Sequence, residues 1–290
     1  MQPRIIVHGG AGAIADALVK GHLQGCREAA EEGLRLLWEG APAEEAVERA
    51  ICLLEDDEVF DAGRGSFLNM DGVVEMDAAF MEGASLLVGA VAGVRKFAHP
   101  ISLARLVMES EHVLLVGEGA TRFALSHGLR QCPAEWLIVP REREAWERQR
   151  RAQGVGDTVG AVALDERGHL AVGLSTGGRP FKFPGRVGDV PCVGAGFYVD
   201  DGAGGVAASG EGEAILRVAL ARRVMEQLER GIHPQEAASW AIGLLYQRVG
   251  GHAGLIVLDR QGRVGCAFNT RRMSRAWNEG KEIIACIERG

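Results

Sequence analysis

The chain has 290 residues, of which 24% are charged, and a net charge of -7, a balance that excludes the basic field needed by a nucleic-acid or anionic-membrane binder. Folded as one domain, a chain of this length buries about three quarters of the surface its unfolded form exposes. No apolar run approaches the roughly 20 residues of a spanning helix, and Met1-Gln2-Pro3-Arg4 leads into a strand rather than a signal peptide, so a cytoplasmic protein is expected.

Six cysteines (Cys26, Cys52, Cys132, Cys192, Cys266, Cys286) are scattered without a Cys-x-x-Cys pair, which reads as buried reduced thiols rather than a zinc or thioredoxin signature. The 41 glycines follow no collagen or linker period. They cluster beside strands, where backbone must pass close to something.

In chain order, Arg4 to Val7 reads as a strand and His8-Gly9-Gly10-Ala11-Gly12 as a turn or close backbone approach. Helical spacing of apolar residues over Gly21 to Glu39 and Ala43 to Asp56 gives each segment one buried and one charged face. A glycine-bearing loop, Phe60 to Ser66, precedes strand-like segments around Val73 to Met81 and Ala84 to Val94. Ile101 to Glu109 is expected as a helix, Val113 to Val116 as a short buried strand, and Gly117 to His127 as a helix. Arg141 to Gly156 is almost free of core residues and is expected as a solvated, mobile connector.

After it, Thr158 to Leu164 and Leu170 to Thr176 flank Asp165-Glu166-Arg167-Gly168-His169, a hairpin signal that recurs over Ala253 to Leu258, Asp259 to Gly262 and Arg263 to Asn269. Between the hairpins lie a strand, Val206 to Ser209, and helices Glu213 to Arg230 and Pro234 to Val249. Strands and helices joined mostly by hairpins favour helix-covered sheets over a continuous parallel sheet. The expectation is an α+β fold, a four-layer αββα sandwich, forming one domain over residues 1–290 without internal repeats.

The residues that carry chemistry gather in the second half. Gly156-Asp157-Thr158-Val159-Gly160 puts a threonine at the start of a strand, directly after the charged connector. A hydroxyl is a poor nucleophile without a base, and an N-terminal threonine supplies one from its own α-amine, with a pKa of about 8. Such a terminus arises only by cutting the chain before Thr158. Hairpin geometry returns Ser175-Thr176-Gly177-Gly178 beside it, so that two hydroxyls share one place. Gly185-Arg186-Val187-Gly188-Asp189 offers a guanidinium for an α-carboxylate and a carboxylate for an α-ammonium, the pairing an amino-acid head requires. A surface ion pair is the plain alternative. Ser209-Gly210-Glu211-Gly212-Glu213 ends a strand and opens a helix; its hydroxyl and amides suit either an oxyanion or a helix cap.

At these residues the sequence resembles the N-terminal-nucleophile hydrolases of the plant-type asparaginase, isoaspartyl peptidase and glycosylasparaginase group. The resemblance runs from Val7-His8-Gly9-Gly10-Ala11-Gly12 to Phe268-Asn269-Thr270 and Met273, and is carried most specifically by Asp157-Thr158-Val159-Gly160, Ser175-Thr176-Gly177-Gly178 and Gly185-Arg186-Val187-Gly188-Asp189. It implies an αββα fold and autoproteolysis between Asp157 and Thr158, giving an α chain of residues 1–157 and a β chain of residues 158–290. It further implies that Thr158 attacks, Thr176 orients it, Arg186 and Asp189 with Gly212 bind the substrate, and Ser209 and Gly210 form the oxyanion hole. A homodimer of αβ units, no required cofactor and a sodium ion in the loop Leu54 to Gly65 also follow from it. Four positions depart from the usual pattern: Asp157 matches the glycosylasparaginases where the asparaginase branch has Gly, Ser209 replaces Thr, Glu211 replaces an uncharged polar residue, and Asp61 replaces Asn.

The substrate class expected is a small aspartyl amide, L-asparagine or a β-aspartyl dipeptide, with N-glycosyl-asparagine as the alternative. Two rivals remain open at this point. An uncleaved homologue could bind amino acids without hydrolysing them. Gly173-Leu174-Ser175-Thr176-Gly177 also matches the G-x-S-x-G of serine esterases, although Pro180 and Pro184 oppose the helix that a nucleophile elbow needs.

Overall fold

Alternate residues along the central strands belong to different cores, and this alternation defines the layers. The computed structural model describes residues 1–148 and 157–288. The first part contains β1 (Arg4–Gly12), α1 (Val19–Trp38), α2 (Ala43–Asp56), β2 (Met76–Glu82), β3 (Val88–Val94), α3 (Pro100–Met108), β4 (Leu114–Val116), α4 (Gly117–Ser126), α5 (Ala134–Leu137) and α6 (Pro140–Arg148). The second contains β5 (Asp157–Leu164), β6 (Leu170–Gly178), β7 (Phe197–Asp200), β8 (Gly204–Gly210), α7 (Gly212–Val218), α8 (Leu220–Glu229), α9 (Pro234–Val249), β9 (Ala253–Asp259), β10 (Val264–Phe268), β11 (Arg272–Glu279) and β12 (Glu282–Cys286).

An eight-stranded sheet runs β12-β11-β1-β5-β6-β2-β3-β4, and a four-stranded sheet runs β10-β9-β8-β7. In β5, Val159, Ala161 and Ala163 face a core shared with α1, α2 and α3, whereas Val162 and Leu164 face a core between the two sheets. In β9, Ile256 and Leu258 join that intersheet core, and Leu255 and Val257 pack against α8 and α9. Helices, sheet, sheet, helices is the αββα order expected. Fully burying a side chain such as Ile5, Phe80 or Phe197 stabilises the fold by about 1.5–3 kcal/mol each.

Several expectations need correction. β1 does not stop at Val7: it pairs with β5 as far as His8 and continues to Gly12, past an irregularity between His8 and Ala11, because Ala11 and Gly12 pair with Met273 and Arg272 of β11. The helix expected over Glu213 to Arg230 is two helices, broken where Ala219 takes a left-handed conformation (φ 51°). β4 is present, but Val113, Leu114 and Val116 are exposed, since the strand sits at a sheet edge. The connector expected over Arg141 to Gly156 begins as helix α6, anchored by Trp146, whose indole donates to the Asn69 carbonyl and stacks on Phe181. The rest of that connector lies outside the described residues. β7, β11 and β12 had no counterpart in the sequence reading.

Candidate active site

Thr158, buried at 5% exposure, is the second residue of β5. Between Asp157 and Val159 the pairing of β5 with β6 slips out of register. There the Thr176 hydroxyl donates to the Asp157 carbonyl at 2.7 Å and accepts from the Gly178 amide at 2.9 Å. The peptide bond before Thr158 therefore carries a hydrogen-bond donor on its carbonyl oxygen, which stabilises charge developing there if a nucleophile adds to the carbon.

The Asp157 side chain lies across β1. Gly10 has φ 110°, and a Cβ there would come within 1.8 Å of Asp157 Oδ1, so conformation and space both require glycine. That Oδ1 is enclosed without a partner, and burial pushes the Asp157 carboxyl up to about 7. Asp61 stands close by. Its Oδ1 accepts from the Phe67 amide at 2.8 Å, its Oδ2 has no partner, and its carbonyl accepts from Gly177 at 2.9 Å. Burial, with a further contribution from the Asp157 charge, pushes Asp61 well above the usual carboxylate range.

Arg186, Asp189 and Gly212 lie side by side. Arg186 Nε and Nη2 donate to Glu213 at 2.9 and 2.8 Å. Asp189 is buried with Oδ2 unpartnered; burial pushes its carboxyl up to about 7 despite the Arg186 charge. A Cβ on Gly212 would lie 2.8 Å from Asp189 Oδ1 and 3.0 Å from Arg186 Nη2, so only a bare backbone leaves room beside both groups. A fork of donors next to an acceptor oxygen suits a zwitterionic head, and Glu213 shows that a carboxylate fits the fork. A cavity of about 750 Å³ opens along Gly185 and Val187 of this loop, and another of about 370 Å³ along Asp61 and Asp157 beneath α6.

Ser209 and Gly210 end β8 in the second sheet. The Ser209 hydroxyl accepts from the Ala11 amide at 3.0 Å, beside the Gly10 that carries Asp157. Glu211 pairs with His252 at 3.3 Å on the surface. Ser175 is fully buried within β6, which continues to Gly178, and no helix follows it. The nucleophile-elbow reading of G-x-S-x-G fails on that geometry. In the loop expected to hold sodium, Gly65 has φ 96° and a Cβ there would come within 2.6 and 2.7 Å of the Glu58 and Phe60 carbonyls, so the close approach of backbone requires glycine.

Three residues escaped the sequence reading. His8 pairs with Gly160 across β1 and β5 and is fully buried, with neither ring nitrogen hydrogen-bonded. Burial pushes its pKa down to about 3 against the pull of the Thr158 backbone, so the imidazole stays neutral. Asp77 pairs with Thr176 across β2 and β6; its Oδ1 accepts from Gly93 at 2.8 Å and its Oδ2 has no partner. Buried Lys182 donates to the Glu75 carbonyl at 2.6 Å, and the charges of Lys182 and Arg186 both act on Asp77. Each was signalled only by a titratable residue set in an apolar run.

A family model described as Asparaginase matches residues 1–288. An isoaspartyl peptidase/L-asparaginase of Xenopus laevis is 43% identical over 285 residues, covering 95% of this chain and 92% of its own. The Homo sapiens protein of the same name is 44% identical over 272 residues (90% and 88%), and that of Bos taurus 41% over 300 (100% and 97%). With the αββα layers and nearly the full length of these relatives matched, the chain belongs to the asparaginase family of hydrolases.

Proposed function

We propose that the chain cuts its own backbone before Thr158 and then uses that threonine to hydrolyse the side-chain amide of small aspartyl substrates, L-asparagine and β-aspartyl dipeptides. The observation that carries this reading is the hydrogen bond from Thr176 to the Asp157 carbonyl at the start of β5. The names of the relatives support the substrate class.

In the precursor, Thr158 Oγ adds to the Asp157 carbonyl carbon while Thr176 stabilises the oxygen, and the Asp157 carboxylate assists by taking the Oγ proton. The C–N bond breaks, an ester forms, and water releases the carboxylate of residues 1–157 and the amine of residues 158–290. In the mature enzyme the Thr158 α-amine takes the Oγ proton and the oxygen attacks the substrate amide carbon. Ammonia or an amine then leaves, and water clears the acyl-enzyme. Arg186 exchanges Glu213 for the substrate α-carboxylate, Asp189 takes the α-ammonium beside Gly212, and Ser209 with Gly210 stabilises the oxyanion. This chemistry requires no cofactor, and backbone oxygens of the loop Leu54 to Gly65 would hold a structural sodium ion. The working form is a homodimer of αβ units in the cytoplasm.

Denaturing mass analysis tests the first stage: two fragments meeting before Thr158 are expected, and one intact chain after long incubation overturns it in favour of a binding protein. Among the described residues no helix is long and apolar enough to cross a membrane. For the second stage, kcat/KM should be higher for asparagine or a β-aspartyl dipeptide than for N-acetylglucosaminyl-asparagine; the reverse order would reassign the substrate.

A further inference from the structure

Away from Thr158, the last turn of α2 meets the start of α3. Cys52 and Glu55, three apart and so on one face of α2, meet His99, the residue before Pro100 at the start of α3. Their ligand atoms all lie within 4.8 Å of one another, and among the described residues no other trio of His, Cys, Asp or Glu is so placed. Glu55 is fully buried, Cys52 is 8% exposed, and the His99 side chain at 33% exposure leaves a way in from solvent.

The orientation of each group is fixed from outside the trio. Glu55 Oε1 accepts from the Ile101 amide at 3.0 Å, which leaves Oε2 facing His99 Nδ1 at 3.3 Å. The other ring nitrogen, Nε2, lies 3.5 Å from Asp56 Oδ1. A carboxylate on the far nitrogen of a histidine is the usual device that fixes its tautomer and raises its basicity as a ligand. Cys52 Sγ has a 3.7 Å contact with the Ser102 hydroxyl. Sulfur, imidazole and carboxylate together select a borderline-soft ion over calcium or magnesium. In a tetrahedral zinc site neighbouring ligand atoms are about 3.5 Å apart, so the nitrogen–oxygen edge is already formed and the sulfur, within 4.8 Å of its partners, has at most about 1.3 Å to close.

We propose that Cys52 Sγ, Glu55 Oε2 and His99 Nδ1 bind a divalent cation of the zinc type, with water as fourth ligand and Asp56 supporting His99. Binding releases to solvent both the Cys52 thiol proton and the proton held between His99 Nδ1 and Glu55 Oε2. The ion would tie α2 to α3 at the root of the loop that carries Asp61, whose Arg64 amide donates to the Glu55 carbonyl at 2.7 Å.

Protein stripped with a chelator and titrated with cobalt(II) tests the site. One equivalent should produce a near-ultraviolet thiolate-to-cobalt band together with the visible bands of a tetrahedral ion, and zinc should abolish both. Cys52→Ser should lose the near-ultraviolet band, His99→Asn should lose stoichiometric binding, and Asp56→Asn should weaken affinity at least about tenfold. Cys132→Ser should change nothing. Melting curves without metal establish that each variant folds, and His99→Asn decides the matter if Cys52→Ser does not fold. Absence of a saturable band in the unaltered protein, or a band that survives either Cys52→Ser or His99→Asn, overturns the proposal.

Discussion

The two ends of the same strands treat buried carboxylates in opposite ways. At the hairpin ends, Asp165 accepts from the Arg167 and His169 amides at 2.9 Å each, and Asp259 accepts from Gln261 and Arg263 at 3.0 and 2.8 Å, each with an arginine alongside. Glu82, at the same end of β2, accepts from Ala84, Ser85 and Leu87. At the other end, Asp61, Asp77, Asp157 and Asp189 each keep one enclosed oxygen without a partner, and burial raises the pKa of every one. A satisfied carboxylate stabilises a turn, whereas an unsatisfied one costs stability and persists where it has other work to do.

The most severe test of that contrast is Thr158→Ala. It should abolish both chain cleavage and amide hydrolysis, with turnover falling at least about a thousandfold; retention of either activity removes the basis for the site. Arg186→Ala should raise KM by roughly a hundredfold, the worth of a charge-assisted fork at about 2–3 kcal/mol, and affect kcat less. An unchanged KM would detach Arg186 from the substrate.

Stability should move the other way at the two ends. Asp165→Ala should cost about 2–3 kcal/mol by denaturant unfolding, since it strands two amides, yet leave activity per folded molecule intact. Asp189→Asn should lose turnover without loss of stability, and a matching loss at both positions would erase the distinction. The pH dependence follows the same line. Asp157 and Asp189 have folded pKa values of about 7 against ordinary values of 3.8. Their contribution is fully present below the lower value and is lost as pH rises through the upper one. In the Thr158→Ala background, Asp157→Asn should therefore flatten the decline of melting temperature between pH 4 and 7, and an unchanged slope would contradict its buried, unpaired state. Glu211→Gln should do least. It removes a solvent-facing pair with His252 worth less than about 1 kcal/mol, and a several-fold change in kcat/KM would place Glu211 in the site after all.

What could be read from sequence follows from how local its cause is. The β5–β6 and β9–β10 hairpins and helix α2 announce themselves by periodicity and turn residues, and α2 lies exactly where its pattern puts it, from Ala43 to Asp56. The return of Thr176 beside the bond between Asp157 and Thr158 follows from the hairpin alone. The glycine-rich end of β1 and the charged strand β11 extend because neighbours pair with them: Arg275 in β11 is buried by donating to the Met273 carbonyl and stacking on Phe268. Residue type carries no trace of such pairing. The Cys52 trio escaped for a related reason, since a search for paired cysteines passes over one cysteine whose partners are a glutamate on its own helix and a histidine at the cap of the next.

The order of the large sheet bears on what a break before Thr158 would leave behind. β1 lies between β11 and β5, and β2 is bonded to β6, so strands from the two sides of that bond alternate in one hydrogen-bonded ladder. The pieces would stay interlocked without any covalent tie, neither could be washed away short of denaturation, and recovering a working protein from separate genes would call for making both together.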